Sequence, residues 1–135
     1  MNDKPFLDTN VLVYAFRTDD PRSRVSETLL AAGGSISVQV LNEFVAVARR
    51  KLHRSWEEIG QALRILRIFC PDPVPLTIDT HERALEIAVR YGHSIFDSLI
   101  VAAALQAGSR TLYSEDLQHG QEIEGLSIQN PFASG

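Results

Sequence analysis

The stretch from Phe6 to Phe16 changes from a strand pattern to a helix pattern within a few residues. Residues 5–7 are short and apolar, as expected of a strand. The apolar residues that follow recur at helical spacing: Val11, Leu12, Ala15 and Phe16. Thr9 or Asn10 is predicted to cap that helix, because either side chain can accept a bond from a free N–H of the first turn. The stretch therefore predicts a strand that feeds directly into a helix.

Asp8 is predicted to lie at the carboxyl end of this first strand. In an open parallel α/β sheet that rim is where ligands bind. A carboxylate there can hold a divalent cation through its oxygens. It can equally serve only as a cap of the first helix. The stretch alone leaves both interpretations open.

Strand-like and helix-like segments alternate along the rest of the chain. Helices are predicted over 21–32, 39–53, 55–69, 79–91 and 94–107, with capping boxes at Ser55 and Asp79. Strands are predicted over 35–38, 74–78, 110–113 and 126–129. This alternation implies right-handed crossovers and a parallel sheet covered by helices on both faces. The helix over 94–107 supports that architecture, because it is apolar on nearly every side and must be buried.

Length and composition suit one domain spanning residues 1–135. The 135 residues are 44% hydrophobic, which is enough for a core and too much for a disordered chain. The single cysteine, Cys70, excludes an internal disulfide and fits a reducing cytosol. No secretory signal is recognisable, and the longest apolar run, 99–105, is too short to cross a membrane. A cytoplasmic protein is therefore expected.

The charge of the chain gives a mixed indication about nucleic acid. A net charge of −4 argues against such a partner. However, acids that bind a metal ion lower the formal charge and are neutralised in the working protein. The basic residues are nearly all arginine, in groups over 17–24 and 49–54. Guanidinium groups match phosphate oxygens in pairs, although the same groups also suit a solvated helix face.

Acidic residues occupy positions that one sheet rim would bring together: Asp8, Glu43, Asp97 and Asp116. Asp8 and Asp116 each follow a predicted strand, and Glu43 lies on the edge of the apolar arc of the third helix. Each has an ordinary alternative interpretation. Glu43 can be a boundary residue, and Asp116 can be a turn or N-cap residue.

Asp97 lies in the first turn of the buried helix. With Ser94 it resembles a capping box, which is its structural alternative. Capping alone does not explain why a carboxylate begins the least solvated helix, where buried charge is costly without a partner. Near the other strand end, Ser114 precedes Asp116 by two positions and offers a hydroxyl, whereas strand alternation turns Glu115 away.

Several carboxylates on one rim repel one another unless cations lie among them. A site built from oxygen ligands, without cysteine or histidine, suits Mg²⁺ or Mn²⁺. Two such ions near a phosphodiester can activate a water and stabilise the leaving oxygen. The pattern of acids therefore favours metal-dependent chemistry on a phosphodiester.

The order and spacing of these motifs resemble a PIN-domain protein, in particular a VapC-type toxin of a bacterial toxin–antitoxin pair. The resemblance covers nearly the whole chain and rests on Asp8-Thr9-Asn10, Glu43, the run 96–104 that contains Asp97, and Ser114-Glu115-Asp116. The family often has threonine where this chain has Ser114, so the hydroxyl is kept.

The resemblance implies a three-layer α/β/α fold with a mostly parallel central sheet, and metal-dependent endonucleolytic cleavage of RNA. It implies that the same acids hold one or two Mg²⁺ or Mn²⁺ ions and perform catalysis: Asp8, Glu43, Asp97 and Asp116. Thr9, Asn10 and Ser114 are expected to support them.

A cognate antitoxin is the expected protein partner, and a homodimer is also expected. Helices one, three and four carry more bulky apolar residues than one sheet face should cover: Val11, Leu12, Tyr14, Ala15, Phe16, Phe44, Leu52 and Trp56. Some are predicted to line an exposed groove for an amphipathic antitoxin segment, part of whose surface a homodimer would use. The alternative is that all of them belong to the core.

Rival functions fit the sequence less well. A phosphoacceptor receiver domain needs a lysine near the last strands, and the two lysines are Lys4 and Lys51. A phosphatase of the haloacid dehalogenase type needs an acid where Asn10 stands. A PIN domain kept as a non-catalytic scaffold and a PIN-like nuclease acting on structured DNA remain alternatives. The intact acids disfavour the first, and the short chain disfavours the second.

Overall fold

The structure, a computed structural model, describes residues 4–133. In chain order its elements are β1 (Phe6–Leu7), α1 (Thr9–Ala15), α2 (Arg22–Ala31), α3 (Val38–Arg50), α4 (Trp56–Phe69), α5 (Ile78–Tyr91), α6 (Ile95–Gln106), β2 (Thr111–Tyr113), β3 (Glu122–Ile123) and β4 (Leu126–Gln129). Among the described helices, none combines the length and apolar character that a membrane span requires.

The four strands form one sheet in the order β1-β2-β4-β3. β2 runs parallel to both β1 and β4, whereas β3 pairs antiparallel with β4. The register pairs Leu7 with Tyr113, so the residues that follow β1 and β2 meet at the same rim. The predicted α/β class with a mostly parallel sheet is confirmed.

Two of the predicted strands shrink to isolated bridges. Phe6 bridges to Ser35, and Ser37 bridges to Val74, both in the parallel sense. The segment over 35–38 cannot extend further, because Ser37 is already the N-cap of α3. The prediction of a strand over 74–78 is wrong beyond its first residue, because Pro75 lacks an N–H and Thr77 caps α5.

Two predicted helix starts are also wrong. Asp8, rather than Thr9 or Asn10, is the N-cap of α1. Thr77 is the N-cap of α5, two residues before the predicted capping box at Asp79. The box at Ser55 is confirmed, since Ser55 and Glu58 exchange both side-chain-to-backbone bonds.

The strand β3 was not predicted. It joins β4 through Glu124 and Gly125, which both have positive φ angles, of 50° and 88°. Such a two-residue turn with glycine second is a recognised hairpin signal. β3 is only two residues long, so it offers little alternation to detect.

The core lies around α6, whose residues from Ser98 to Ala104 are all buried. It packs along α5, and α1 packs against both α2 and α3. Gly92 ends α5 in the left-handed conformation, at a φ of 76°, which glycine adopts without steric cost. The turn then leads into Ser94 and sets the start of α6 at the sheet rim.

Candidate active site

Asp8 is the buried centre of the acidic cluster, with 4% of its surface exposed. Its Oδ1 accepts a bond from the Thr9 N–H at 2.7 Å, and its Oδ2 accepts one from the Ser114 hydroxyl at 2.7 Å. The parallel pairing of β1 with β2 brings Ser114 level with Asp8, whose own N–H donates to the Tyr113 carbonyl at 3.0 Å. Asp8 therefore both caps α1 and faces the residues after β2.

Burial raises the pKa of the Asp8 carboxyl from 3.8 to about 7. The bonds from Ser114 and Thr9 oppose that rise, while repulsion from Glu43 and Asp116 adds to it. Burial thus disfavours the ionised form of the Asp8 carboxyl. A cation beside it would restore the charge, because an opposite charge nearby favours the ionised carboxylate.

Ser114 fixes the loop that carries Asp116. Its hydroxyl donates to Asp8 and accepts bonds from the N–H groups of Asp116 at 3.2 Å and Leu117 at 3.3 Å. The side chain of Ser114 is fully buried, whereas Asp116 is exposed. One hydroxyl thereby positions two of the four acids that the sequence singled out.

Asn10 bridges the first helix and the same loop. Its Nδ2 donates to Asp116 Oδ2 at 3.1 Å and, at a longer 3.5 Å, to Asp8 Oδ2. Its Oδ1 accepts the Glu115 N–H at 3.1 Å. The backbone donor at Glu115 fixes which end of the Asn10 amide is the oxygen, so the amine must face the acids.

Glu43 is half-buried on α3 and is held by two polar neighbours. The Gln39 amide donates to its Oε2 at 2.9 Å, and the Thr9 hydroxyl donates to its Oε1 at 3.5 Å. Desolvation raises the pKa of Glu43, and repulsion from Asp97 and Asp116 contributes. Gln39, one helical turn before Glu43, was not predicted as a site residue, although its spacing of four is the signal for such a pair.

Asp97 lies in the first turn of α6, where its N–H donates to the Ser94 hydroxyl at 3.1 Å. The return bond of a capping box, in which the Ser94 N–H would donate to the Asp97 carboxylate, is not formed among the described residues. The cap of α6 is therefore Ser94. The Asp97 carboxylate instead lies near enough to Glu43 to contribute to that residue's raised pKa.

The structure thus brings all four acids into electrostatic contact. Asp8 is repelled by Glu43 and Asp116, and Glu43 by Asp97 and Asp116. Over residues 4–133, no three acidic, histidine or cysteine side chains are close enough together to constitute a formed metal site. What the structure shows is a cluster of repelling carboxylates around a buried one.

A sequence model of the PIN domain matches residues 6–121. The chain belongs to the PIN-domain family. No curated protein matches the sequence, and relatives therefore come from solved structures.

Three solved structures are similar to this PIN domain, each at 22% identity. Mycobacterium tuberculosis VapC20, a toxin that cleaves the sarcin–ricin loop, aligns over 82% of this chain and 88% of its own, with a TM-score of 0.66. A toxin–antitoxin complex from Klebsiella pneumoniae covers 95% and 98%, with a TM-score of 0.71. VapBC2 from Rickettsia felis, bound to a DNA fragment from its promoter, covers 93% and 96%, with a TM-score of 0.66. At this identity the likeness establishes the PIN fold.

An ionic brace beside the acids was not predicted. Glu115 accepts the Tyr14 hydroxyl at 2.7 Å and pairs with Arg22 at 2.9 Å. Arg22 also donates to the Asp20 carboxylate through two nitrogens, at 2.9 Å and 2.7 Å. Its guanidinium lies 4.2 Å from the centre of the Tyr14 ring. The brace fixes the residue between Ser114 and Asp116 in this PIN domain.

Proposed function

We propose that this PIN domain is a metal-dependent endoribonuclease. The observation that carries the proposal is a cluster of four mutually repelling carboxylates, of which Asp8 is the buried one. The residues that would hold one or two Mg²⁺ or Mn²⁺ ions and act in catalysis are Asp8, Glu43, Asp97 and Asp116. Their donor chemistry fits such ions, because every ligand is a carboxylate oxygen. The raised pKa of Asp8 fits as well, since a cation relieves the cost of its ionised form.

A bound Mg²⁺ or Mn²⁺ would supply an activated water and would stabilise charge on the phosphate. The neighbouring side chains orient the acids. Ser114 holds Asp8 and the backbone of Asp116, and Asn10 holds the Asp116 carboxylate. Thr9 donates to Glu43. These three supporting residues hold Asp8, Glu43 and Asp116 in place despite their mutual repulsion.

Incubation with RNA in the presence and absence of a chelator tests the proposal. Cleavage should require Mg²⁺ or Mn²⁺ and leave 5′-phosphate and 3′-hydroxyl ends. The Asp97→Asn variant should not cleave. Asp72→Asn is a matched control, because Asp72 is an exposed acid in the loop after α4. Undiminished cleavage in chelator, or by Asp97→Asn, would refute the assignment.

We further propose that the enzyme is a toxin inhibited by an antitoxin. An apolar groove of about 330 Å³ runs along α3 and α4 beside the end of α1. The residues that line this α3–α4 groove include Phe16, Phe44, Ala48, Leu52, Ile59, Ala62 and Ile65. The groove accommodates an amphipathic antitoxin segment, and the Klebsiella and Rickettsia neighbours are toxin–antitoxin complexes.

The bulky apolar residues of helices one, three and four belong partly to the core and partly to the surface. Val11 and Leu12 are core residues, and Phe44 is 1% exposed. Trp56 is 62% exposed at the start of α4, with the Arg49 guanidinium 4.8 Å from its ring centre.

Expression alone should arrest bacterial growth, and co-expression with the antitoxin should give an inactive complex. Ile65→Asp should weaken that complex without changing cleavage by the free enzyme. Harmless expression of an active nuclease would exclude the toxin role.

A second copy of the chain is the proposed occupant of a separate apolar stripe on α5. Ile78, Leu85 and Val89 share one face at helical spacing and are 69%, 52% and 81% exposed. Phe96, at the start of α6, is a further exposed apolar residue, at 61%. An isologous dimer would pair this face with itself, leaving the α3–α4 groove to the antitoxin. Sedimentation should show a dimer that Val89→Asp dissociates; a monomeric wild type would exclude it.

A further inference from the structure

A cleft between α1 and α3 leads away from the acidic cluster. This α1–α3 cleft has a volume of about 290 Å³. It is lined by Thr9, Asn10, Val13, Tyr14, Arg17, Glu43, Val47, Lys51, Glu115 and Asp116. One face of α1 and one face of α3 form the walls. Arg17 follows the end of α1, and Lys51 is the C-cap of α3. Its acids were described above; its two cations have no role assigned so far.

The two helices run side by side from the acids to the cations. At one end, the Thr9 hydroxyl meets Glu43 at 3.5 Å. At the other end, the Arg54 guanidinium, which follows α3, meets the Phe16 carbonyl at the end of α1 at 3.4 Å. A helical rise of 1.5 Å per residue places Lys51 about 12 Å along α3 from Glu43. The α1–α3 cleft therefore has an acidic end and a basic end.

Both cations are available to an anionic ligand. Within residues 4–133, Arg17 forms an ion pair only with Asp19, at 3.5 Å, and the Asp19 side chain is 76% exposed. Such a surface pair contributes little and exchanges readily for a stronger acceptor. Lys51 is exposed and forms no ion pair within 4 Å among the described residues. Between the charged ends lie Val13 and Val47, which give the middle of the cleft an apolar surface.

We propose that the basic end of the α1–α3 cleft binds a phosphate of the RNA strand next to the bond that is cut. This inference rests on the proposed ribonuclease function. Because Lys51 follows Glu43 by about 12 Å along the helix axis, the group assigned to the basic end is a neighbouring phosphate of the same strand and not the scissile one. Val13 and Val47 contact the intervening sugar or base. The ligand is a single-stranded ribonucleotide backbone, read by charge and not by sequence.

The contact acts on substrate binding. A cation distant from the reacting atoms holds the substrate and the transition state alike, so its loss raises KM and leaves kcat unchanged. Arg17→Gln and Lys51→Gln should each weaken binding by about fivefold at low salt, because each removes one charge-assisted contact to phosphate. The slope of log Kd against log salt counts the phosphates that are neutralised, so the loss of both cations should reduce it by about 0.7. Arg50→Gln is the matched control, since Arg50 is an exposed neighbour on α3 outside the cleft.

Fluorescence anisotropy with a labelled single-stranded RNA measures the Kd, in the non-cleaving Asp97→Asn background. Steady-state cleavage by each variant with an otherwise wild-type sequence separates KM from kcat. A series of RNAs with one methylphosphonate at each position then locates the phosphate. Neutralising that phosphate removes both contacts at once, so it should weaken binding of the parent protein by more than either substitution does, up to about 25-fold, and binding of the double variant not at all.

The results distinguish a failure of the phosphate site from a failure of the proposed ribonuclease function. If the parent protein neither cleaves nor binds RNA, the ribonuclease assignment itself fails. If it cleaves while Arg17→Gln and Lys51→Gln keep its KM and salt slope, the phosphate site alone is overturned. It is also overturned if those variants weaken only the antitoxin complex, because the cleft then holds an acidic protein segment. A raised KM with Arg50→Gln unaffected supports it.

Discussion

The replacement of Asp8 by asparagine should change how the stability of the metal-free protein depends on pH. Burial raises the pKa of Asp8 from 3.8 to about 7. The folded state therefore binds one more proton than the unfolded state between pH 4 and 7, and stability must fall as pH rises through that window. Below it both states are protonated, and above it both are ionised, so the contribution is constant outside the window.

The size of the effect follows from the same shift. At about 1.4 kcal/mol for each pKa unit, a rise from 3.8 to about 7 corresponds to about 4 kcal/mol, lost between pH 4 and pH 7. The asparagine side chain of the variant cannot ionise, and its oxygen can still accept the Thr9 N–H bond. The Asp8→Asn variant should thus lose this dependence and become the more stable protein at pH 8.

Urea denaturation at pH 5 and pH 8 in the presence of EDTA measures both proteins. The difference in the free energy of unfolding between the wild type and Asp8→Asn isolates the contribution of Asp8 from that of other groups, including Glu43, whose pKa is raised as well. Adding Mn²⁺ at pH 8 should stabilise the wild type more than the variant, because a ligand of the folded state adds to its stability. Parallel pH curves for the two proteins in EDTA would refute the account of Asp8.

Substitutions at three residues separate the roles of the neighbouring side chains. Asp97→Asn should abolish cleavage at a cost of at most about 1 kcal/mol, because Ser94 provides the cap; an active, stable variant would return Asp97 to a purely structural role. Ser114→Ala should cost about 1–3 kcal/mol and most of the activity, because two N–H groups and Asp8 lose their partner, while Ser114→Thr should retain activity. Glu115→Gln should weaken Mn²⁺ affinity about tenfold, measured by electron paramagnetic resonance, because the loop beside Asp116 loses its ion pair with Arg22; unchanged affinity would limit the brace to stability.

The rim acids could be predicted because their position depends on local pattern and on one rule of parallel sheets. Asp8 and Asp116 follow short apolar segments, and parallel pairing of those segments brings the residues after them together. The buried α6 was readable from its uniform hydrophobicity, which placed Asp97 at its start. These signals survive small errors in the bounds of helices and strands.

The details of the site depended on contacts that no local pattern reports. Asn10 and Asp116 are 106 positions apart, and Arg22 and Glu115 are 93 apart. Their meeting depends on how α1 and α2 approach the loop after β2. The prediction that Thr9 or Asn10 caps α1 was wrong for a related reason. Capping and metal binding were treated as alternatives for Asp8, whereas Asp8 caps the helix and also joins the acidic cluster. The sequence alone does not show that one side chain has both roles.

Titration of Mn²⁺ into metal-free protein tests the central claim most directly. At pH 7, calorimetry should detect one or two bound ions and a release of protons as Asp8 ionises. Binding should be lost in Glu43→Gln and Asp97→Asn and retained in Asp72→Asn. A wild-type protein that binds no Mn²⁺ at millimolar concentration, or variants of Glu43 and Asp97 that bind it as tightly, would contradict the claim that these carboxylates form a metal site.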